Sequence, residues 1–144
     1  MICLCYVSSS TEQFNDEALV ELLKVCHKNN KALDITGLLL YNGKGTFIQT
    51  LEGDEQVITS LYEKIKADHR HQRVNRILAK NITERDFPNW KMGFRNLSKI
   101  PTHNIEGFSD FINQTNDHIY LSNNENAVNA LLLHFKDKSD ELIF

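Results

Sequence analysis

Several signatures that announce a function are missing from this sequence. Lysine and arginine number 16 against 19 aspartate and glutamate, a net charge of -3 with no basic stripe, which argues against nucleic acid or an anionic membrane as partner. No apolar run approaches the roughly 18 residues of a membrane span, and the opening MICLCYVSSS lacks the basic and apolar regions of a signal peptide. A cytoplasmic protein is therefore expected. Cysteine is scarce and odd in number: Cys3 and Cys5 alternate as small buried residues of a strand would, and with Cys26 they show no metal-ligand spacing. There is no P-loop, no serine in a nucleophile elbow and no glycine-rich dinucleotide fingerprint, and no internal repeat. Asp68, His69 and His71 crowd a helix end without a closing cluster elsewhere, so no metal is expected.

What is present is an ordinary soluble composition, 41% hydrophobic and 24% charged, of a length that suits one domain with a short appendage. The informative stretch is 35–53, ITGLLLYNGKGTFIQTLEG. Leu38 to Tyr41 form a strand-length apolar run, 42–45 supply turn residues, and 46–52 are rich in β-formers, which together predict a hairpin. The two-residue period places Phe47, Gln49 and Leu51 on one face. An amide is thus carried into an apolar layer, where an unpaired amide costs about 1–3 kcal/mol, so Gln49 requires partners.

Around the hairpin, residues 2–8 read as a strand covered on both faces, with Ile2, Leu4 and Tyr6 opposite Cys3, Cys5 and Val7. Asn15 or Asp16 caps a helix carrying Leu19, Leu22, Leu23 and Cys26, and Asn29 and Asn30 suit its end. A second helix spans about 54–67 with Val57, Ile58, Leu61, Tyr62 and Ile65 as its apolar stripe. Residues 74–82 alternate as a half-exposed strand. Residues 90–97 read as a last strand with Trp90, Met92 and Phe94 on one face. The order βαββαββ predicts a two-layer α+β domain of ferredoxin-like type. The core ends near Ile100, and helices at about 104–111 and 125–135 are expected to cover the sheet face opposite the first two, with 136–144 frayed. In this topology Tyr6 and Gln49 can be neighbours facing the helices, a phenol beside an amide.

These motifs, CYVS around Tyr6, NN at 29–30, ITGLLLY, FIQTLEG around Gln49, IKADHRH and FPNWKMGF, occur in an order and at spacings that resemble the BLUF family of blue-light sensors using flavin. The resemblance covers residues 2–97. It implies a sensor domain at 1–97, a helical extension at 98–144, and one flavin, commonly FAD with FMN or riboflavin as possibilities, between the two helices. It further implies that Tyr6 donates an electron to the flavin in light, that Gln49 bridges Tyr6 to the ring, and that Asn30 bonds the ring's pyrimidine edge. Asn29 and Lys64 match flavin-proximal positions, and Asp68, Arg70 and His71 match contacts near the ribityl or ring edge. Ile35 and Phe47 would pack on the ring, and Trp90 and Met92 would relay the signal, together or one at a time. The expected function is a light sensor without catalysis of its own, signalling through its last strand and C-terminal helices to a separate regulatory protein or within a homo-oligomer. A flavin-dependent enzyme and a ligand-free interaction module are the alternatives, the former lacking an acid–base pair placed for turnover.

Overall fold

The computed structural model describes residues 1–10, 14–99 and 125–135. Strand β1 (Ile2–Ser10) is followed by helix α1 (Asp16–Leu33), the hairpin β2 (Thr36–Tyr41) and β3 (Thr46–Gly53), helix α2 (Glu55–Ala67), and strands β4 (His71–Asn81) and β5 (Gly93–Asn96). A short 3-10 turn (Leu97–Lys99) and helix α3 (Glu125–His134) complete the described part. The expected helix at 104–111 and the residues after 135 lie outside it.

The sheet order is β4-β1-β3-β2-β5, with β5 parallel to β2 and the other neighbours antiparallel. Residue alternation divides the sheet into two apolar layers. Leu4, Tyr6, Leu39, Phe47 and Leu51 face α1 and α2, which add Leu19, Leu23 and Ile58. Cys3, Cys5, Val7, Leu38 and Ile48 face the other way, where Val128, Leu131 and Leu132 of α3 and Phe135 just beyond it cover them. The ferredoxin-like α+β architecture and the helix over the far face therefore agree with the sequence pattern.

Local chemistry sets the boundaries. Asn15 caps α1 by accepting from the Ala18 N–H at 2.8 Å, and Asp54 caps α2 by accepting from Gln56 and Val57. In the hairpin turn the Asn42 side chain accepts from the N–H groups of Lys44 and Thr46, which fixes the register of β2 on β3. Gly37 is required where the two strands meet, because a Cβ there would lie 2.0 Å from the Thr50 carbonyl oxygen.

Two expectations are corrected. Helix α1 does not stop at Asn29 and Asn30 but continues to Leu33, and the left-handed terminal residue is Asp34, with φ of 54°. Asn30 is accommodated inside the helix because its side chain leaves the axis and donates to the Lys91 carbonyl at 2.6 Å. Nor do Trp90, Met92 and Phe94 share a face. The strand begins only at Gly93, and the bent chain before it sends Trp90 into the α3 layer and Met92 into the α1/α2 layer. Trp90 folds back over Gly93, where a Cβ would lie 2.4 Å from the Trp90 ring, so the missing side chain makes the bend possible.

Candidate functional site

Between α1 and α2 a cavity of about 230 Å³ opens onto the sheet. Its floor is Tyr6 of β1, Leu39 of β2, and Phe47, Gln49 and Leu51 of β3. One wall is Leu22, Val25, Cys26, Asn29 and Asn30, at the i, i+3, i+4 spacing of one helical face, and the other is Leu61, Lys64 and Ile65 of α2. Asp68, Arg70 and His71 close the end where α2 turns into β4.

Tyr6 and Gln49 are direct partners across the β1/β3 ladder. The Tyr6 hydroxyl donates to Gln49 Oε1, and Gln49 Nε2 donates to the Met92 sulfur at 3.3 Å. Both ends of the buried amide are thereby engaged, as its burial demands. Burial pushes the Tyr6 phenol well above its usual range, so it stays protonated and serves as a donor. The Tyr62 ring stands 5.7 Å from the Tyr6 ring. The backbone of the Met92 segment is held from α1: Asn30 donates to the Lys91 carbonyl, and His27 Nε2 lies 2.8 Å from the Met92 carbonyl.

At the end closed by these residues Arg70 grips Asp68 through three side-chain contacts, the shortest 2.7 Å, which holds the Asp68 carboxyl down at about 2. Burial lowers His71 below the ordinary histidine value, and its Nδ1 lies 3.1 Å from the Ser8 hydroxyl. Burial also pushes the Cys26 thiol up to about 11, which keeps it an unreactive apolar wall.

Nine sequence-selected residues thus line one cavity: Tyr6, Asn29, Asn30, Phe47, Gln49, Lys64, Asp68, Arg70 and His71. Ile35 does not; it is fully buried in the core of the α1/α2 layer, outside the lining. Trp90 sits on the far side of the sheet. Sequence reasoning missed Leu22, Val25 and Cys26 as lining residues, although their spacing with Asn29 was a readable signal, and it missed His27, whose partner is distant in sequence.

A family model described as sensors of blue-light using FAD matches residues 1–93. The chain belongs to the BLUF family. Photoactivated adenylate cyclase subunit beta of Euglena longa is 32% identical over 102 residues, 69% of this chain and 12% of that protein. The chain thus spans about one eighth of the length of the curated relatives it matches first. Among solved structures, the photo-activated state of BlsA has a TM-score of 0.78 at 26% identity and covers 99% of both chains. The dark state of BlrB, a BLUF protein, has a TM-score of 0.69 at 28% identity over 89% of this chain and 96% of that one. BLUF domains are flavin-binding sensors of blue light. The BLUF cavity of this chain suits such a ring system. Its floor and walls are largely apolar, three amide side chains offer paired donors and acceptors, and Lys64 adds a cation beside the Asp68–Arg70 ion pair.

Proposed function

We propose that this BLUF domain is a photoreceptor in which Tyr6 and Gln49 are the photoactive pair and Met92 carries the change out of the cavity. Asn29, Asn30, Lys64 and the Asp68, Arg70 and His71 end would hold the flavin, FAD being the form in the family's description and FMN or riboflavin the alternatives. When bound, the flavin supplies blue-light absorption and an acceptor for one electron.

The observation that carries the reading is the hydrogen-bond chain from Tyr6 through Gln49 to Met92. With the flavin bound and excited, Tyr6 would be the electron donor to it, and the Tyr6 hydroxyl proton would have a ready acceptor in Gln49 Oε1. A glutamine amide has one accepting and one donating end, so reversal or tautomerisation exchanges the pattern at nearly equal bond count, with each bond worth about 1 kcal/mol net. Two arrangements of similar energy result. In one of them Met92 keeps its amide partner; in the other it loses that partner, and the backbone that His27 and Asn30 hold responds. The output then passes to a separate regulatory protein or to a second copy of the chain, and the domain performs no chemistry on a substrate.

The test is the absorption spectrum in the dark, under blue light and again in the dark. A flavin spectrum that shifts to the red and recovers is expected. Gln49→Leu and Tyr6→Phe should each retain flavin and lose the shift; a full shift in either variant would overturn the roles of that residue pair.

A further inference from the structure

Glu52 lies at the end of β3, 1% exposed, and takes no part in the cavity. Its two carboxylate oxygens accept separate backbone N–H groups from the segment that precedes β5: Oε2 from Asp86 at 2.7 Å and Oε1 from Phe87 at 3.0 Å. Phe87 stacks on Trp90 with ring centroids 5.6 Å apart and planes 23° apart. The Trp90 carbonyl in turn accepts the Gly37 N–H, and two residues later comes Met92, the partner of Gln49. One buried side chain therefore fastens the near end of the segment whose far end touches the photoactive amide. Arg85 reinforces the attachment by donating to Thr36 Oγ1, to the Glu52 carbonyl and to Asp34.

We propose that Glu52 is a positioning residue that sets the rest position of the Phe87–Trp90–Met92 segment through its two backbone hydrogen bonds, and that it makes this position responsive to pH. The light-dependent consequence rests on the sensor reading above; the anchoring itself does not. The charged form accepts both N–H groups, whereas the protonated form places a hydroxyl hydrogen where an acceptor stood and weakens one of the two bonds. Burial pushes the Glu52 carboxyl up to about 7 against the opposing pull of those N–H groups, which brings the change into the neutral range. Among the described residues the surrounding groups are few. Asp86 pushes the same way as burial and Arg85 opposes it. From β1 the facing group is Cys3, itself raised by burial, with Lys80 of β4 opposite it. Asp34 is engaged by Arg85 and Lys91. On the α3 side the small cavity beside Cys3 and Asp86 is lined by Asn129, Leu132 and Leu133, none of them titratable.

Trp90 is the single tryptophan of the chain, so its emission reports the segment directly. The flavin-bound protein is titrated in the dark from about pH 5.5 to about pH 8.5, a window of one and a half units either side of neutrality. A single transition near neutral pH is expected. Glu52→Gln, which keeps the shape but presents an amide donor to one of the N–H groups, should show the acid-side emission at every pH. Asp86→Asn should keep the transition and move its midpoint down, a displacement that a merely structural role would not produce. The dark-recovery rate after blue light should follow the same midpoint, changing about two- to tenfold across it, as expected for one net hydrogen bond. Emission that is flat in the unmodified chain, or a transition that survives unchanged in Glu52→Gln, overturns the proposal. If Glu52→Gln does not fold, the unmodified titration and Asp86→Asn still decide. Titrating emission without any photoshift would support the anchor while rejecting the sensor mechanism.

Discussion

Gln49, Met92 and Asn30 form a mechanical linkage at the scale of single side chains, and each link can be varied alone. Met92 is fully buried. Met92→Ala should destabilise by about 2–5 kcal/mol in urea unfolding, whereas Met92→Leu conserves volume, should cost less than about 1.5 kcal/mol, and removes the sulfur acceptor. The expected outcome of Met92→Leu is a flavin-loaded protein with altered dark recovery; recovery identical to the unmodified chain would remove Met92 from the proposed relay. Asn30→Ala orphans the Lys91 carbonyl and should lower stability by about 1–3 kcal/mol by the same measurement. Gln49 was legible in the sequence because a two-residue period puts an amide between Phe47 and Leu51 on a buried face, and Tyr6 was legible as its neighbour once the βαββαββ order set β1 beside β3. The bond that Asn30 makes was not, since its acceptor is a backbone carbonyl 61 positions away, and carbonyls carry no residue signature. Both asparagines consequently read as helix stop signals, a property of their type that tertiary contact overrode.

Elements were legible wherever hydrophobic periodicity and capping agreed. Helix α2 begins beyond Asp54 and ends at Ala67, as its charges and apolar stripe imply, and Val128, Leu131 and Leu132 of α3 and Phe135 just beyond it face the sheet as their spacing implies. The failure fell on the stretch before β5. Trp90, Met92 and Phe94 alternate like a strand, but Gly93 leaves room for the Trp90 ring to fold back, and a steric allowance of that kind is invisible to a count of apolar positions. Gly93→Ala should therefore displace Trp90 and shift its emission while leaving α1 and α2 intact by circular dichroism. At the other end of β5, the Arg95 guanidinium lies 5.7 Å from the Trp90 ring and 5.9 Å from the Phe135 ring, joining the last strand to α3. Leu131→Asp places an unpaired charge in this layer and should lower the thermal midpoint strongly, with flavin retained by the fraction that remains folded.

Across the molecule as a whole, two carboxylates respond to acid in opposite senses. Asp68 titrates below its ordinary value, so its contribution is present above about pH 4 and is lost as pH falls towards 2. Glu52 titrates above its ordinary value; its contribution is complete below about pH 4.5 and is lost as pH rises through 7. Thermal stability measured from pH 7 down to pH 5 should rise in the unmodified chain relative to Glu52→Gln, and should fall in strong acid in both. A rise of equal size in the two proteins would assign the effect elsewhere. The sheet that separates these groups also separates two tasks. Residues of one parity meet the cavity and residues of the other parity meet α3, so substitutions that reshape the cavity and substitutions that repack the layer under α3 fall on different letters of the same strands. Such a strand can be rewritten on one side, in evolution or in an engineer's hands, without disturbing the text on the other.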